Sequence, residues 1–398
     1  MILSERATQV RTSASLKVTA KAEKMNMSGY NVINLGTGEV DIKTPAHITA
    51  AAVDAIEHNL PKYTAVEGIA ELREAVCKKM YADRGLVYEP ENVVITNGAK
   101  QALMNTIFSV VGQSDEVIIS APYWQSYVEV VLLAGGVPVI VYTRGEHGYK
   151  ITAEELEKVY TDKTKAIIIN SPNNPTGALY TEKELQVIAD FAVEKDLIVI
   201  SDEVYDKMIY SQKVKFLSIA SLGEEIKKRT VIVNSLSKTY SMTPWRIGYS
   251  IADKNISKAM TRIQSHCTSN VNVVSQYAAL AALKGSDECI DRLVNELKRR
   301  RDYMSQRISD IPYLRSIRPV GGLYILVNVL RLYGQEVGGI TIKSGKDVAQ
   351  ILLSNYNVAV VSGDVFGCED YIRLSFAASM ESIIVGVNRI EKFIKQNF

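Results

Sequence analysis

The stretch Thr230-Val231-Ile232-Val233-Asn234-Ser235-Leu236-Ser237-Lys238-Thr239-Tyr240-Ser241-Met242-Thr243-Pro244-Trp245-Arg246 reads as a strand running into a dense polar loop. Thr230–Asn234 is nearly continuous in β-branched residues, the composition of a strand covered on both faces. Beyond it, hydroxyls at Ser235, Ser237, Thr239, Tyr240 and Ser241 surround one amine, Lys238, and Arg246 follows eight residues later. Open α/β sheets bind ligands outside the carboxyl ends of their strands. Donors clustered there with one guanidinium suit a phosphate, which arginine meets in bidentate fashion. An amine beside a bound phosphate and an aldehyde forms an imine when its surroundings keep part of it deprotonated. Taken alone, the segment is equally a polar loop carrying a solvated lysine.

Working outward, six further runs have the same character: Val93–Thr96, Glu116–Ser120, Val137–Tyr142, Ala166–Asn170, Ile198–Ser201 and Gly248–Ile251. Amphipathic stretches separate them. Leu185, Ile188, Ala189 and Ala192 recur at helical spacing, and Thr181 with Glu184 and Thr152 with Glu155 make capping-box starts. The alternation predicts an α/β fold, with a mainly parallel central sheet of strands buried on both faces and flanked by helices. The charged stretch Asp291–Arg307 predicts a long exposed helix, and Tyr324–Val329 and Tyr371–Phe376 predict strands of a smaller unit that begins near residue 284. No repeat or linker interrupts the chain, so the two units are expected to pack together.

With 398 residues, 47% of them hydrophobic, the chain can bury a large core. Forty-six Lys and Arg against 44 acids leave a formal charge of +2, too small to point to nucleic acid or an anionic membrane, so a small-molecule ligand is expected. Cys77, Cys267, Cys289 and Cys368 lie far apart and read as reduced thiols. His47, His58, His147 and His266 show no ligand spacing, so no metal is expected. The first residues, with Glu5, Arg6 and Arg11, lack the apolar run of a secretory signal. Val128–Tyr142 is broken by Glu129, two glycines and Pro138, too short to span a bilayer. A cytoplasmic protein is expected.

Three more segments carry polar groups at strand ends. In Val93-Val94-Ile95-Thr96-Asn97-Gly98-Ala99-Lys100-Gln101, Gly98 permits close approach and the helix Gln101–Val111 offers unsatisfied amides to an anion. Asn-Gly at a helix start is also ordinary turn chemistry. Asn170-Ser171-Pro172-Asn173-Asn174-Pro175-Thr176-Gly177 is a stiff polar loop after a strand, either a structural turn or a source of ligand donors. In Ile200-Ser201-Asp202-Glu203-Val204-Tyr205 an acid ends a very apolar strand, where it must be paired or must cap a helix.

Together these segments resemble the fold-type I enzymes that use pyridoxal 5′-phosphate (PLP), specifically the class I aminotransferases of the aspartate aminotransferase type. Leu35–Asp41, Lys62–Ala75, Thr96–Gln101, Ala121–Tyr127, Asn170–Gly177, Ser201–Tyr205, Ser235–Gly248, Gly321–Tyr324 and Tyr371–Ser375 match in order and approximate spacing. The resemblance implies an aminotransferase working between an L-amino acid, of the aspartate or glutamate class, and a 2-oxo acid by a ping-pong mechanism. It implies a large PLP-binding domain over 46–283, a small α+β domain over 284–398, and an N-terminal segment, 1–45, packed on the small domain. By the same resemblance, Lys238 holds the cofactor as a Schiff base and later carries the proton to and from the substrate Cα. Asp202 pairs with the protonated pyridine nitrogen. Tyr205 and Asn174 bond the phenolic oxygen, and Trp124 stacks on the ring. Gly98, Ala99, Ser235 and Arg246 hold the phosphate, with Lys100 beside them, and Tyr63 reaches across from a second subunit of a homodimer. Arg373 clamps the substrate α-carboxylate with help from Asn174 and the backbone at Gly38. An arginine among apolar strand residues needs an anionic partner in any case. Lys100 matches a lysine that meets a distal carboxylate in one subgroup; otherwise it is a solvated first-turn lysine.

The chain departs from the family pattern at Val40, Pro244 and Ser362, where the family more often has proline, glycine and proline. These positions alter loops expected near the substrate entrance, and Ser265–Asn270, also unusual, is expected near a subunit boundary. Competing readings are an aminotransferase for aromatic or other specialised amino acids and a PLP-dependent C–S lyase or synthase of the same fold. A PLP-binding regulator would need an extra DNA-binding module, for which the length leaves no room.

Overall fold

The structure, a computed structural model, describes residues 3–211 and 213–398. Its largest sheet has seven strands in the order Val93–Thr96, Gly248–Ile251, Thr230–Ser235, Ile198–Asp202, Thr164–Asn170, Glu116–Ala121 and Val137–Tyr142. All seven predicted strands are present. Neighbours run parallel except Gly248–Ile251, which is antiparallel on both sides. The register pairs Asn170 with Asp202, and Gly248 with both Ser235 and Thr96, so the polar strand ends meet along one edge.

One strand contradicts the expectation of burial on both faces. Val137–Tyr142 pairs only with Glu116–Ala121, and both its end residues are exposed. An edge strand keeps its apolar composition because one face still packs on the core, and composition alone does not report the missing neighbour.

Both capping boxes form: Thr152 and Thr181 cap Ala153–Val159 and Glu182–Glu194. The helix after Thr96 begins at Ala99, two residues before the predicted start, because Gly98, at φ +79°, serves as its N-cap.

A second unit carries a four-stranded antiparallel sheet ordered Val361–Ser362, Tyr371–Ser375, Tyr324–Asn328 and Arg315–Ser316. Helices Glu288–Asp310, Gly345–Tyr356 and Met380–Asn397 contribute to its core. The helix Glu288–Asp310 corrects the prediction of an exposed helix: Leu293, Leu297, Met304 and Ile308 are buried, with Arg300 and Arg301. Its charge density masks an apolar stripe at helical spacing, while pairs such as Arg299–Glu296 lie on the outer face. The chain's beginning joins this unit, since Ile33–Asn34 pairs in parallel with Val358–Ala359 and Leu35 packs in the same core. The smaller domain is thus built from both chain termini. Among the described residues no helix is long and apolar enough to cross a membrane.

Candidate active site

Between the polar strand ends of the large sheet and the smaller domain lies a cavity of about 550 Å³. It brings together Lys238, Asp202, Tyr205, Asn174, Ser235 and Arg246 from the large sheet's side, Arg373 from the small sheet, and Gly38, Ala99, Lys100 and Trp124. Every residue proposed from the sequence lines it except Gly98, which adjoins it, and Tyr63. Tyr63 is 92% exposed, so its own chain gives it almost nothing to touch.

Lys238 sits in the short helix Leu236–Thr239, started by Ser235, whose Oγ accepts the Ser237 N–H at 2.9 Å. Its Nζ donates to the Gly38 carbonyl at 2.6 Å. Burial holds the amine below its ordinary pKa, helped by Arg373 and Arg246 and opposed by Tyr324 and Glu39. The residue is therefore not a solvated loop lysine. Gly38 itself has no room for a side chain, since a Cβ would lie 1.9 Å from the Tyr324 hydroxyl.

Asp202 is buried at the end of its strand, and no ion pair with it forms among the described residues. It caps no helix; its Oδ1 accepts the Val204 N–H at 3.2 Å and its Oδ2 the Tyr127 hydroxyl at 2.6 Å. Burial pushes its pKa up to about 6 against those two bonds, with the neighbouring Glu203 adding to the rise. An acid held this way is suited to pair with a cationic ring nitrogen. Asn170 fastens the same wall, donating to the Asp202 carbonyl at 3.0 Å and accepting the Asn174 N–H at 2.7 Å.

Opposite, Arg246 adopts the left-handed conformation, φ +55°, and donates to the Thr243 and Asn97 carbonyls. A Cβ on Gly98 would lie 2.7 Å from its Nη2, and one on Gly248 would lie 2.8 Å from the Ala99 nitrogen. Both glycines thus let a guanidinium and a helix N-terminus close on one point, a ready anion cradle. Trp124 forms an aromatic wall, edge-on to Tyr127 with centroids 5.5 Å apart. Amine, buried acid, anion cradle and aromatic wall together fit a flat pyridine aldehyde that bears a phosphate.

Arg373 is 2% exposed, yet no acid pairs with it among the described residues. It donates to Asn174 Oδ1 at 2.9 Å, the Gly36 carbonyl at 2.8 Å and Ser15 Oγ at 3.1 Å, and its Nε has no partner. Its guanidinium lies 4.0 Å above the centre of the Tyr324 ring. A buried cation in this state is suited to receive an anionic partner. Lys100 lies 5.1 Å from the Trp124 ring centre at the cavity wall and is also exposed, so it is a first-turn lysine facing the cavity.

Among the cavity residues not singled out from the sequence, Tyr127, Tyr324 and Ser15 touch the proposed groups directly. Tyr127 and Tyr324 lie inside segments quoted for the resemblance, but a tyrosine in an apolar run looks like core; only a buried acid in need of a donor hints at Tyr127. Ser15 carries no local signal at all. Tyr324 is buried, which alone would raise its pKa, but Arg373 and Lys238 outweigh this and hold it below the ordinary value. Its hydroxyl lies 3.4 Å from that of Tyr205, whose own pKa burial drives well up. Of the departures, Pro244 lines the cavity, whereas Val40 packs in the small-domain core and Ser362 lies beside the Arg373 strand. Among the described residues no group of His, Cys, Asp and Glu could hold a metal ion.

Comparison with known proteins agrees with this geometry. The family model described as "Aminotransferase class I and II" matches residues 30–390. The chain is 41% identical over 394 residues to an aspartate aminotransferase of Bacillus sp. (strain YM-2), covering 99% of each chain. The aspartate aminotransferase of Rhizobium meliloti superposes with a TM-score of 0.95 at 34% identity, covering 100% of this chain and 99% of the other. That of Thermus thermophilus, solved with maleate, superposes with a TM-score of 0.93 at 34% identity over 98% and 99%. With a family match across most of its length and an amine, an acid and an unpaired arginine meeting in one cavity, the chain belongs to the fold-type I PLP-dependent aminotransferases of the aspartate aminotransferase-like family.

Proposed function

We propose that this aminotransferase binds PLP at Lys238 and exchanges amino groups between acidic L-amino acids, of the aspartate or glutamate class, and 2-oxo acids in a ping-pong cycle. The observation that carries the reading is the meeting of three groups in one cavity: the half-buried Lys238 amine, the buried Asp202 acid with no cation, and the buried Arg373 guanidinium with no anion. Bound there, the cofactor supplies an aldehyde and a ring able to accept the electron pair released at the substrate Cα.

Lys238, whose charged form burial disfavours, holds the cofactor and moves a proton at the substrate Cα. Asp202 holds a proton on the ring nitrogen, and Tyr127 orients that acid. Tyr205 and Asn174 face the phenolic oxygen and Trp124 the ring. Gly98, Ala99, Ser235 and Arg246 receive the phosphate, and Tyr63 of the second subunit in a homodimer completes it, a role in keeping with its exposure. Arg373 binds the α-carboxylate with Asn174, beside the Gly38 backbone. Lys100 meets the distal carboxylate, which favours acidic donors; maleate in the Thermus relative is a dicarboxylate of the same kind.

The domain division that suits this arrangement is 1–45 with the small domain, 46–283 for the large domain and 284–398 for the small one. A cytoplasmic setting suits the four free thiols.

The test is a panel of amino donors added singly to the holoenzyme. Aspartate or glutamate alone should bleach the long-wavelength band of the bound cofactor, and 2-oxoglutarate should restore it, without release of ammonia or pyruvate. Steady release of either would make the enzyme a lyase, and bleaching by aromatic donors only would remove the acidic assignment.

A further inference from the structure

Arg84 ends the helix Ala70–Arg84 and lines no part of the cavity, yet its side chain is only 7% exposed. Its guanidinium forks: Nη1 donates to Glu203 Oε2 and Nη2 to Asp206 Oδ2. The rest of the cluster is equally enclosed. Glu203 Oε1 accepts the Ser201 and Ser218 hydroxyls at 2.9 and 2.6 Å, and Phe216 lies under the guanidinium at 4.7 Å. Asp206 Oδ2 also takes Asn234 Nδ2 at 3.4 Å, and Asn234 Oδ1 accepts the Ser235 N–H at 2.7 Å.

Three members are sequence neighbours of cavity residues. Glu203 follows Asp202, Asp206 follows Tyr205, and Asn234 precedes Ser235. Successive side chains of an extended chain point to opposite faces. Asp202 therefore faces the cavity while Glu203 turns to the back, where Arg84 waits.

We infer that Arg84 is a positioning residue for the cofactor site, its forked guanidinium fastening from behind the segment that presents Asp202 and Tyr205, to which Asp206 in turn ties the strand end that presents Ser235. The inference rests on the proposed PLP site. An arginine suits the task because its planar fork engages two carboxylates at once, whereas an ammonium is a single point of charge. A cluster serving stability alone would affect folding but not the cofactor of molecules that do fold.

Two variants separate these roles. Arg84→Met alone would strand two buried acids and risks misfolding, so the first is the neutral triple Arg84→Met/Glu203→Gln/Asp206→Asn. The second is Arg84→Lys, which keeps the charge without the fork. For each, the PLP dissociation constant, the circular dichroism induced per bound cofactor and the melting temperature are measured against the parent holoenzyme. Both variants should bind PLP roughly 10- to 100-fold more weakly, the size of effect that outer partners have at metal sites, with reduced induced dichroism even at saturation. Affinity and dichroism within about threefold of the parent, in either variant that folds, would overturn the inference. A parent that binds no PLP would instead sink the proposed function.

Discussion

The Tyr127 hydroxyl donates to Asp202 Oδ2 across 2.6 Å, inside a wall that gives this acid no cation. Burial raises the acid from 3.8 to about 6, so between those values the folded protein keeps a proton that the unfolded chain has released. Stability of the cofactor-free protein therefore falls as pH rises through that window, by roughly 3 kcal/mol in all. Asp202→Asn keeps an acceptor for Tyr127 and removes the charge. It should raise the melting temperature of the cofactor-free protein at pH 8, leave it unchanged near pH 3, and still cost the holoenzyme far more in kcat than in cofactor binding. Thermal melts at the two pH values check this; a lower melting temperature at pH 8 contradicts the account of a desolvated acid.

Arg373→Met should divide affinity from stability. Loss of a buried guanidinium that meets the α-carboxylate costs about 2–5 kcal/mol in substrate binding, read as a large rise in KM for every donor. The ligand-free protein should melt no lower than the parent, because its buried charge has no anion to lose. An unchanged KM removes the assignment.

Lys100→Ala should discriminate among donors. If the amine beside Trp124 meets a distal carboxylate, kcat/KM for aspartate should drop roughly 10- to 100-fold, as loss of about 1.4–2.8 kcal/mol dictates, while tyrosine and methionine change little. Equal losses for all donors would show that Lys100 serves the site only as a structural lysine.

Much of this was legible in the chain because strand ends and site coincide. Thr230–Ser235 and Ile198–Asp202 declare themselves by apolar continuity, and the groups that break it, Lys238 and Asp202, are those that line the cavity. What stayed hidden depends on contacts between distant segments. The Tyr127–Asp202 bond spans 75 residues, that of Ser15 with Arg373 spans 358, and Arg84 meets Glu203 across 119. No periodicity marks such pairs. The exposure of Val137–Tyr142 and the buried stripe of Glu288–Asp310 differ from what composition predicts for a related reason: burial is decided by the neighbour an element finds.

The most direct test of the account is to reduce the PLP-loaded enzyme with borohydride and map the labelled peptide by mass spectrometry. The label should fall on Lys238 alone, and Lys238→Ala should retain neither label nor turnover. A label on another lysine, or full activity in the alanine variant, would contradict the central assignment.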